Sequence, residues 1–180
     1  MRTLEQLRLD FTNNKILPID WLGDSLDRFE TYATYASKVD SIAEFGVYTG
    51  LSTTAWLSGS PKKLVSYDIT DEHLTILPEL VLNAQLAGID FKFIIGSSLE
   101  VVIDSVDLLF VDTVHKKKHC LAELTRHAAQ VKKYIIFHDT TAWPGVFDAV
   151  TEFLTLHPEW HIIEHCTKNS GLTVIQRHES

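Results

Sequence analysis

Four side chains in the second half of the sequence can hold a cation or move a proton. Asp112 closes the apolar run VDLLFVD (106–112), and His138 with Asp139 closes KYIIFHD (133–139). Carboxylates at the ends of two successive strands suit magnesium, and His138 beside them also admits manganese, iron or zinc. The same carboxylates also suit the N-termini of following helices, where they complement the helix dipole. His115 follows Asp112 closely, and histidine is the commonest general base near neutral pH. As one of nine histidines it also reads as a solvated loop residue. Asp112 and His115 are therefore the catalytic candidates. Asp112, His138 and Asp139 are the metal candidates.

A second set lies in the first half. Glu44-Phe45-Gly46-Val47-Tyr48-Thr49-Gly50-Leu51-Ser52 follows the run SIAEFGV (41–47) and opens a helix. Gly46 and Gly50 let the backbone approach a ligand, and a helix N-terminus offers free N–H groups. The spacing is G-x-x-x-G, whereas a bound pyrophosphate asks for G-x-G-x-x-G. An acid just before the turn suits an ammonium group better than a phosphate. Asp68 ends the next apolar run, KLVSYDI (63–69), where a carboxylate can accept hydrogen bonds from a ribose diol or cap the next helix.

Lys116, Lys117 and Lys118 form the one basic run; it reads as a solvated face, or as a cradle for an anion where cations oppose a helix N-terminus. Trp143 and Pro144 follow Asp139 in a loop that can cover a site or staple the next helix. Cys120 and Cys166 read as small buried apolar residues. With neither zinc-site spacing nor disulfide density, they point to a reducing cytoplasm. No G-x-S-x-G nucleophile elbow occurs.

The elements that must position these residues follow from hydrophobic periodicity. Besides the four runs above, DFKFIIG (90–96) is nearly continuous in apolar residues, as strands buried on both faces are. Helical spacing links Leu121, Leu124, Ala128 and Val131, and links Val146, Val150, Phe153 and Leu154 behind Pro144. Alternating strands and helices imply a parallel sheet with helices on both faces. WHIIEHC (160–166) and GLTVIQR (171–177) are separated by too few residues for a crossover helix, so they must form an antiparallel hairpin. Residues 1–38 read as two helices, with Leu4, Leu7 and Phe11 on one and Leu26, Phe29, Ala33 and Ala36 on the other, behind Asp24 as N-cap.

At 180 residues, 45% hydrophobic and 22% charged, the chain fits a single globular domain, 1–180, with a helical extension (1–38) and a core (39–180). No apolar run is long enough to cross a membrane, and the N-terminus carries no secretory signal. Sixteen basic against 24 acidic residues give a net charge of −8, which argues against wrapping nucleic-acid phosphates.

The acidic-x-Gly-x-x-x-Gly turn, Asp68 and the closing hairpin together resemble the class I S-adenosylmethionine-dependent methyltransferases over roughly residues 40–177. VDLLFVDTVHKKKH, YIIFHDT and SGLTVIQR look like the branch of small-molecule and sugar O-methyltransferases and cephalosporin-hydroxylase-like proteins. The resemblance implies a doubly wound, Rossmann-like α/β fold of five parallel strands plus the hairpin. It implies S-adenosylmethionine as cofactor, a divalent metal (magnesium or manganese), and methyl transfer to an oxygen of a small molecule or sugar. Glu44 and Gly46 would frame the methionine part, with Tyr48, Gly50 and Ser52 in the same turn, and Asp68 would hold the ribose. Ser97 and Ser98 stand near the adenine, Ser97 in place of an acid. The branch motif reads roughly Asp-Gly-Asp-His-Ser-Tyr; here it is Asp112-Thr113-Val114-His115-Lys116-Lys117, which keeps the first Asp and the His. The missing acid at Val114 leaves a non-catalytic cofactor-binding or scaffold protein as the alternative. The short chain must build its acceptor pocket from the N-terminal helices, strand-end loops or a second subunit, so a homo-oligomer fits the reading. The Lys run fits an anionic acceptor.

Overall fold

The computed structural model describes residues 1–13, 15–16 and 22–178, the backbone alone over 22–27. The chain forms two compact units, Met1–Gly96 and Ser97–Ser180.

The first unit opens with α1 (Leu4–Thr12), held by a capping box in which Thr3 and Gln6 satisfy each other's backbone N–H groups. Leu7 and Phe11, one turn apart, are its buried stripe. Helix α2 spans Leu22–Ala36, so Asp24 stands in its first turn and is not its N-cap. Phe29 and Ala36 are buried, while the side chain of Leu26 lies outside the described residues. Strands β1 (Ser41–Phe45), β2 (Lys63–Asp68) and β3 (Asp90–Ile95) pair in parallel in the order β3-β2-β1. Between them run α3 (Leu51–Ser58) and α4 (Leu77–Leu86). Strand β3 does not have the two buried faces that its apolar run suggested. It pairs with β2 alone in this unit, and Ile94 and Ile95 are 39% and 57% exposed.

The second unit contains β4 (Val106–Val111), α5 (Lys117–His127), β5 (Val131–His138), α6 (Pro144–Leu156), β6 (Trp160–Cys166) and β7 (Leu172–Arg177). Strands β4 and β5 are parallel neighbours; β7 lies antiparallel between β5 and β6. Val131 leaves the helix that its spacing suggested. Helix α5 ends at His127, a 3-10 turn follows over Ala128–Gln130, and Val131 opens β5. No helix forms between β3 and β4, where strand–helix alternation calls for one. Instead α5 ties the segment down: Arg126 donates to the carbonyls of Glu100 and Val101, and the His127 ring meets the Ser98 carbonyl at 2.6 Å.

The result is a doubly wound α/β fold with parallel strands and a terminal antiparallel hairpin, the class implied by the sequence. Cys120 is buried, and burial pushes its thiol up to about 12; Cys166 is only half-buried, contrary to the sequence reading. Among the described residues no helix is long and apolar enough to cross a membrane.

Candidate functional site

The turn after β1 is built from left-handed residues. Gly46, Tyr48 and Gly50 all have positive φ, at 87°, 50° and 87°. A Cβ at Gly50 would meet the ends of the Leu74, Ile76 and Leu80 side chains, which can shift, so it is the left-handed φ that favours glycine here. Asp68 organises the turn from the end of β2: its Oδ2 accepts the N–H of Val47 at 2.8 Å and of Tyr48 at 3.0 Å. Its other oxygen accepts no hydrogen bond among the described residues, and the group is half-exposed. Two backbone donors thus fix a carboxylate whose free oxygen suits a diol. Tyr48, half-exposed, lays its ring against His73 with centroids 4.9 Å apart.

Glu44 faces inward. It is fully buried, and its carboxyl accepts from Ser52, Thr53, Trp56 and Ser66 at 2.5–3.1 Å. Burial pushes Glu44 up to about 7, against the pull of those four donors. Glu44 and Ser52 therefore brace α3 beneath the turn, and the Glu44 carboxyl is not presented at an open face.

Ser97 and Ser98 part company. Ser97 is half-buried and its Oγ accepts the Leu99 N–H. Ser98 is buried and donates its hydroxyl to Glu123 at 2.6 Å. Its hydroxyl is committed to the protein.

The second unit brings together the four residues singled out at strand ends. Parallel pairing sets Val111 beside Phe137, so Asp112 and His138 emerge together. His115 Nε2 lies 3.2 Å from Asp112 Oδ1 and 2.9 Å from Asp139 Oδ2. His138 Nδ1 lies 3.4 Å from Asp112 Oδ2 and 3.1 Å from Asp139 Oδ1. Each imidazole thus faces both carboxylates. Burial works against charge on both rings, but the two aspartates outweigh it and push His115 up to about 9 and His138 up to about 10. Burial likewise opposes the carboxylate charges, yet the histidines hold Asp112 and Asp139 below the usual carboxylate range. The two aspartates therefore favour the protonated ring at His115, and of this pair Asp112 is the group left free to accept a proton. Asp139 itself holds a left-handed φ of 61°, a strained conformation of the kind that concentrates at functional sites.

Donor atoms of Asp112, His138 and Asp139 lie within 4.8 Å of one another. His138 Nδ1 is buried and forms no hydrogen bond of good geometry despite the nearby carboxylates. A buried nitrogen without a hydrogen bond, aimed between two carboxylates, fits a divalent cation that would take the place of the proton the ring otherwise holds there. Trp143 stacks on His115, ring centroids 5.6 Å apart, and remains 52% exposed. Of the lysines, Lys117 is answered by Glu152 at 2.8 Å, while Lys116 and Lys118 are exposed.

Several contributors escaped the sequence reading. Ser170, in the turn of the hairpin, meets His138 Nε2 at 3.3 Å, and Glu123 gathers Ser98 and Thr113 from within α5. Only the helical spacing of Ser52, Thr53 and Trp56 behind an acid signalled the buried Glu44 network. Nothing local marks Ser170 or Glu123.

No protein-family model matches the sequence, and no curated protein matches it. Solved structures do. An O-methyltransferase from Bacillus cereus in complex with SAH is similar over 97% of this chain and 90% of its own, with 14% identity and a TM-score of 0.73. A SAH-bound methyltransferase from Podospora anserina is similar over 99% and 89%, with 18% identity and a TM-score of 0.68. The O-methyltransferase TomG from Streptomyces achromogenes, involved in tomaymycin synthesis and in complex with SAM, is similar over 99% and 91%, with 14% identity and a TM-score of 0.69. At these identities the likeness is one of fold, and it is the fold that the motifs implied.

Proposed function

We propose that the chain transfers a methyl group from S-adenosylmethionine to an oxygen of a small molecule or sugar. The observation that carries the reading is Asp68, whose Oδ2 locks the left-handed glycine turn while its second oxygen faces no protein donor among the described residues. That is the arrangement a ribose diol needs at the end of a second parallel strand. The fold shared with SAH- and SAM-bound O-methyltransferases supports it.

S-adenosylmethionine supplies a methyl on a sulfonium, which departs as a neutral thioether. The chain's tasks are then to align the acceptor and to take its proton. Alignment is worth on the order of 7–11 kcal/mol in favourable cases. Asp112 takes the acceptor's proton, and His115 Nε2, 3.2 Å from Asp112 Oδ1, holds that carboxylate in place. Trp143, stacked on His115, offers a flat apolar wall for an acceptor ring. Asp112, His138 and Asp139 would hold a divalent ion, magnesium or manganese, whose charge polarises an acceptor oxygen. Exposed Lys116 and Lys118 favour an anionic acceptor, so sugar phosphates, nucleotide sugars and uronic acids come first, then neutral sugars and catechols.

Two measurements test this. Calorimetry with S-adenosylhomocysteine should show binding that Asp68→Ala weakens by about 1.5–3 kcal/mol, the worth of hydrogen bonds to a charged group. Tighter binding of NAD, or an Asp68→Ala variant equal to wild type, rejects the cofactor. Methyl transfer from labelled cofactor should fall roughly 10²–10⁴-fold in Asp112→Asn and His115→Ala with cofactor affinity little changed. Turnover indifferent to both substitutions removes their assigned roles.

A further inference from the structure

We infer that Glu123 is a positioning residue, which sets the segment bearing Ser97 and the loop bearing Asp112 in a fixed relation through one carboxyl oxygen. The inference rests on the methyl-transfer reading above, because it concerns the segments that reading assigns to cofactor and acceptor.

Glu123 lies in the middle of α5 and is 0% exposed. Its Oε1 accepts the hydroxyl of Ser98 at 2.6 Å and the hydroxyl of Thr113 at 2.6 Å. His119 Nε2, one helical turn earlier, lies 3.2 Å from the same oxygen and 3.4 Å from Ser98 Oγ. Ser98 adjoins Ser97, the candidate beside the adenine; Thr113 adjoins Asp112, the candidate for the acceptor's proton. Two hydroxyls, one before β4 and one after it, thus converge on one oxygen.

The other oxygen is the telling one. Oε2 is buried without a hydrogen-bond partner among the described residues. Burying a carboxyl with one oxygen unmet is costly, and a leucine at this place in the helix would avoid the cost. Burial raises the Glu123 pKa, with Ser98, Thr113 and His119 pulling it down. What offsets that penalty is the pair of hydroxyls that Oε1 holds. The neighbouring residues of α5 extend the same grip, since Arg126 and His127 hold the backbone of Ser98, Glu100 and Val101. These contacts reach the first segment, and the Glu123 carboxyl joins that segment to Thr113.

The test uses the full chain with two probes, S-adenosylhomocysteine and manganese chloride, each titrated by calorimetry into folded protein. Glu123→Ala should weaken both by roughly 10–100-fold, the usual effect of removing a group that orients ligand-bearing side chains. Ser98→Ala should weaken the nucleoside probe alone, and Thr113→Val manganese alone. Glu123→Gln keeps an accepting oxygen and should restore both to within a few-fold of wild type; loss equal to that of Glu123→Ala overturns the oxygen-bridge role. If Glu123→Ala does not fold, the Ser98→Ala and Thr113→Val pair decides, and unchanged affinities in both overturn the inference. Wild type that binds both probes while Glu123→Ala binds them equally well overturns this inference alone. Wild type that binds neither overturns the methyl-transfer reading, and this inference with it.

Discussion

Glu44 accepts hydrogen bonds from four side chains of α3 and β2 and exposes nothing to solvent. Its residue type and its place before a glycine turn suggested an ammonium partner, yet the partners are Ser52, Thr53, Trp56 and Ser66. The difference is physical. A strand buried on both faces sends alternate side chains into the protein, and sequence alone does not say which face a ligand shares. The burial has a pH consequence. Glu44 titrates near 7 when folded against an ordinary 4.5, so between those values the folded state keeps a proton that the unfolded state has lost. The group's contribution is intact below about pH 4.5 and is lost as pH rises through about 7, by on the order of 3 kcal/mol. Glu44→Gln retains the carbonyl and lacks the titration. Denaturant unfolding of both proteins from pH 4.5 to 8 should therefore show wild type losing ground to the variant across that window. Parallel stability curves would show that Glu44 does not titrate there.

At the scale of elements, the hairpin turn between β6 and β7 reaches back to the strand-end cluster. The Ser170 carbonyl accepts the N–H groups of Thr141 and Ala142, and the Ser170 hydroxyl meets His138. Gly171 makes the approach possible: its φ is 90°, and a Cβ there would lie 2.4 Å from Thr141 N. Gly171→Ala combines left-handed strain of about 1–2 kcal/mol with a backbone collision, so it should cost at least ~2 kcal/mol and weaken manganese binding as Thr141 is pushed off. A melting temperature within a degree of wild type would show that the turn yields freely. Here the sequence was partly legible. The four-residue gap fixed an antiparallel hairpin, and the apolar runs ending in Asp112 and Asp139 placed both carboxylates at the exits of neighbouring strands, as observed. It could not show that β7 lies between β5 and β6, which brings the hairpin turn to His138. Nor could it show that Val131 belongs to β5, because an apolar residue after a helix fits the helical period and the strand alike.

At the scale of the whole molecule, the strands were readable because burial leaves continuous apolar runs. Strand β3 misled because its run is just as apolar while Ile94 and Ile95 stay exposed. The candidate groups were legible where chemistry demands a residue type, as at Asp68, Asp112, His138 and Asp139. The residues around them were not, since the contacts of Ser170, Thr113 and Glu123 arise only on folding. S-adenosylhomocysteine should bind the folded chain and not the unfolded one, and so stabilise the fold by mass action. At ~100 times its dissociation constant the gain is about 2.7 kcal/mol. For a chain of 180 residues that corresponds to a rise of roughly 5–10 °C in melting temperature. The rise should grow with the logarithm of ligand concentration in wild type. In Asp68→Ala the same rise should need a higher ligand concentration, because the fold is kept and the affinity is not. NAD at matched concentration should produce no rise, for the turn carries G-x-x-x-G and not the tighter glycine set that a pyrophosphate needs. A melting temperature that responds to NAD and not to S-adenosylhomocysteine would place a dinucleotide in this turn and end the methyl-transfer reading.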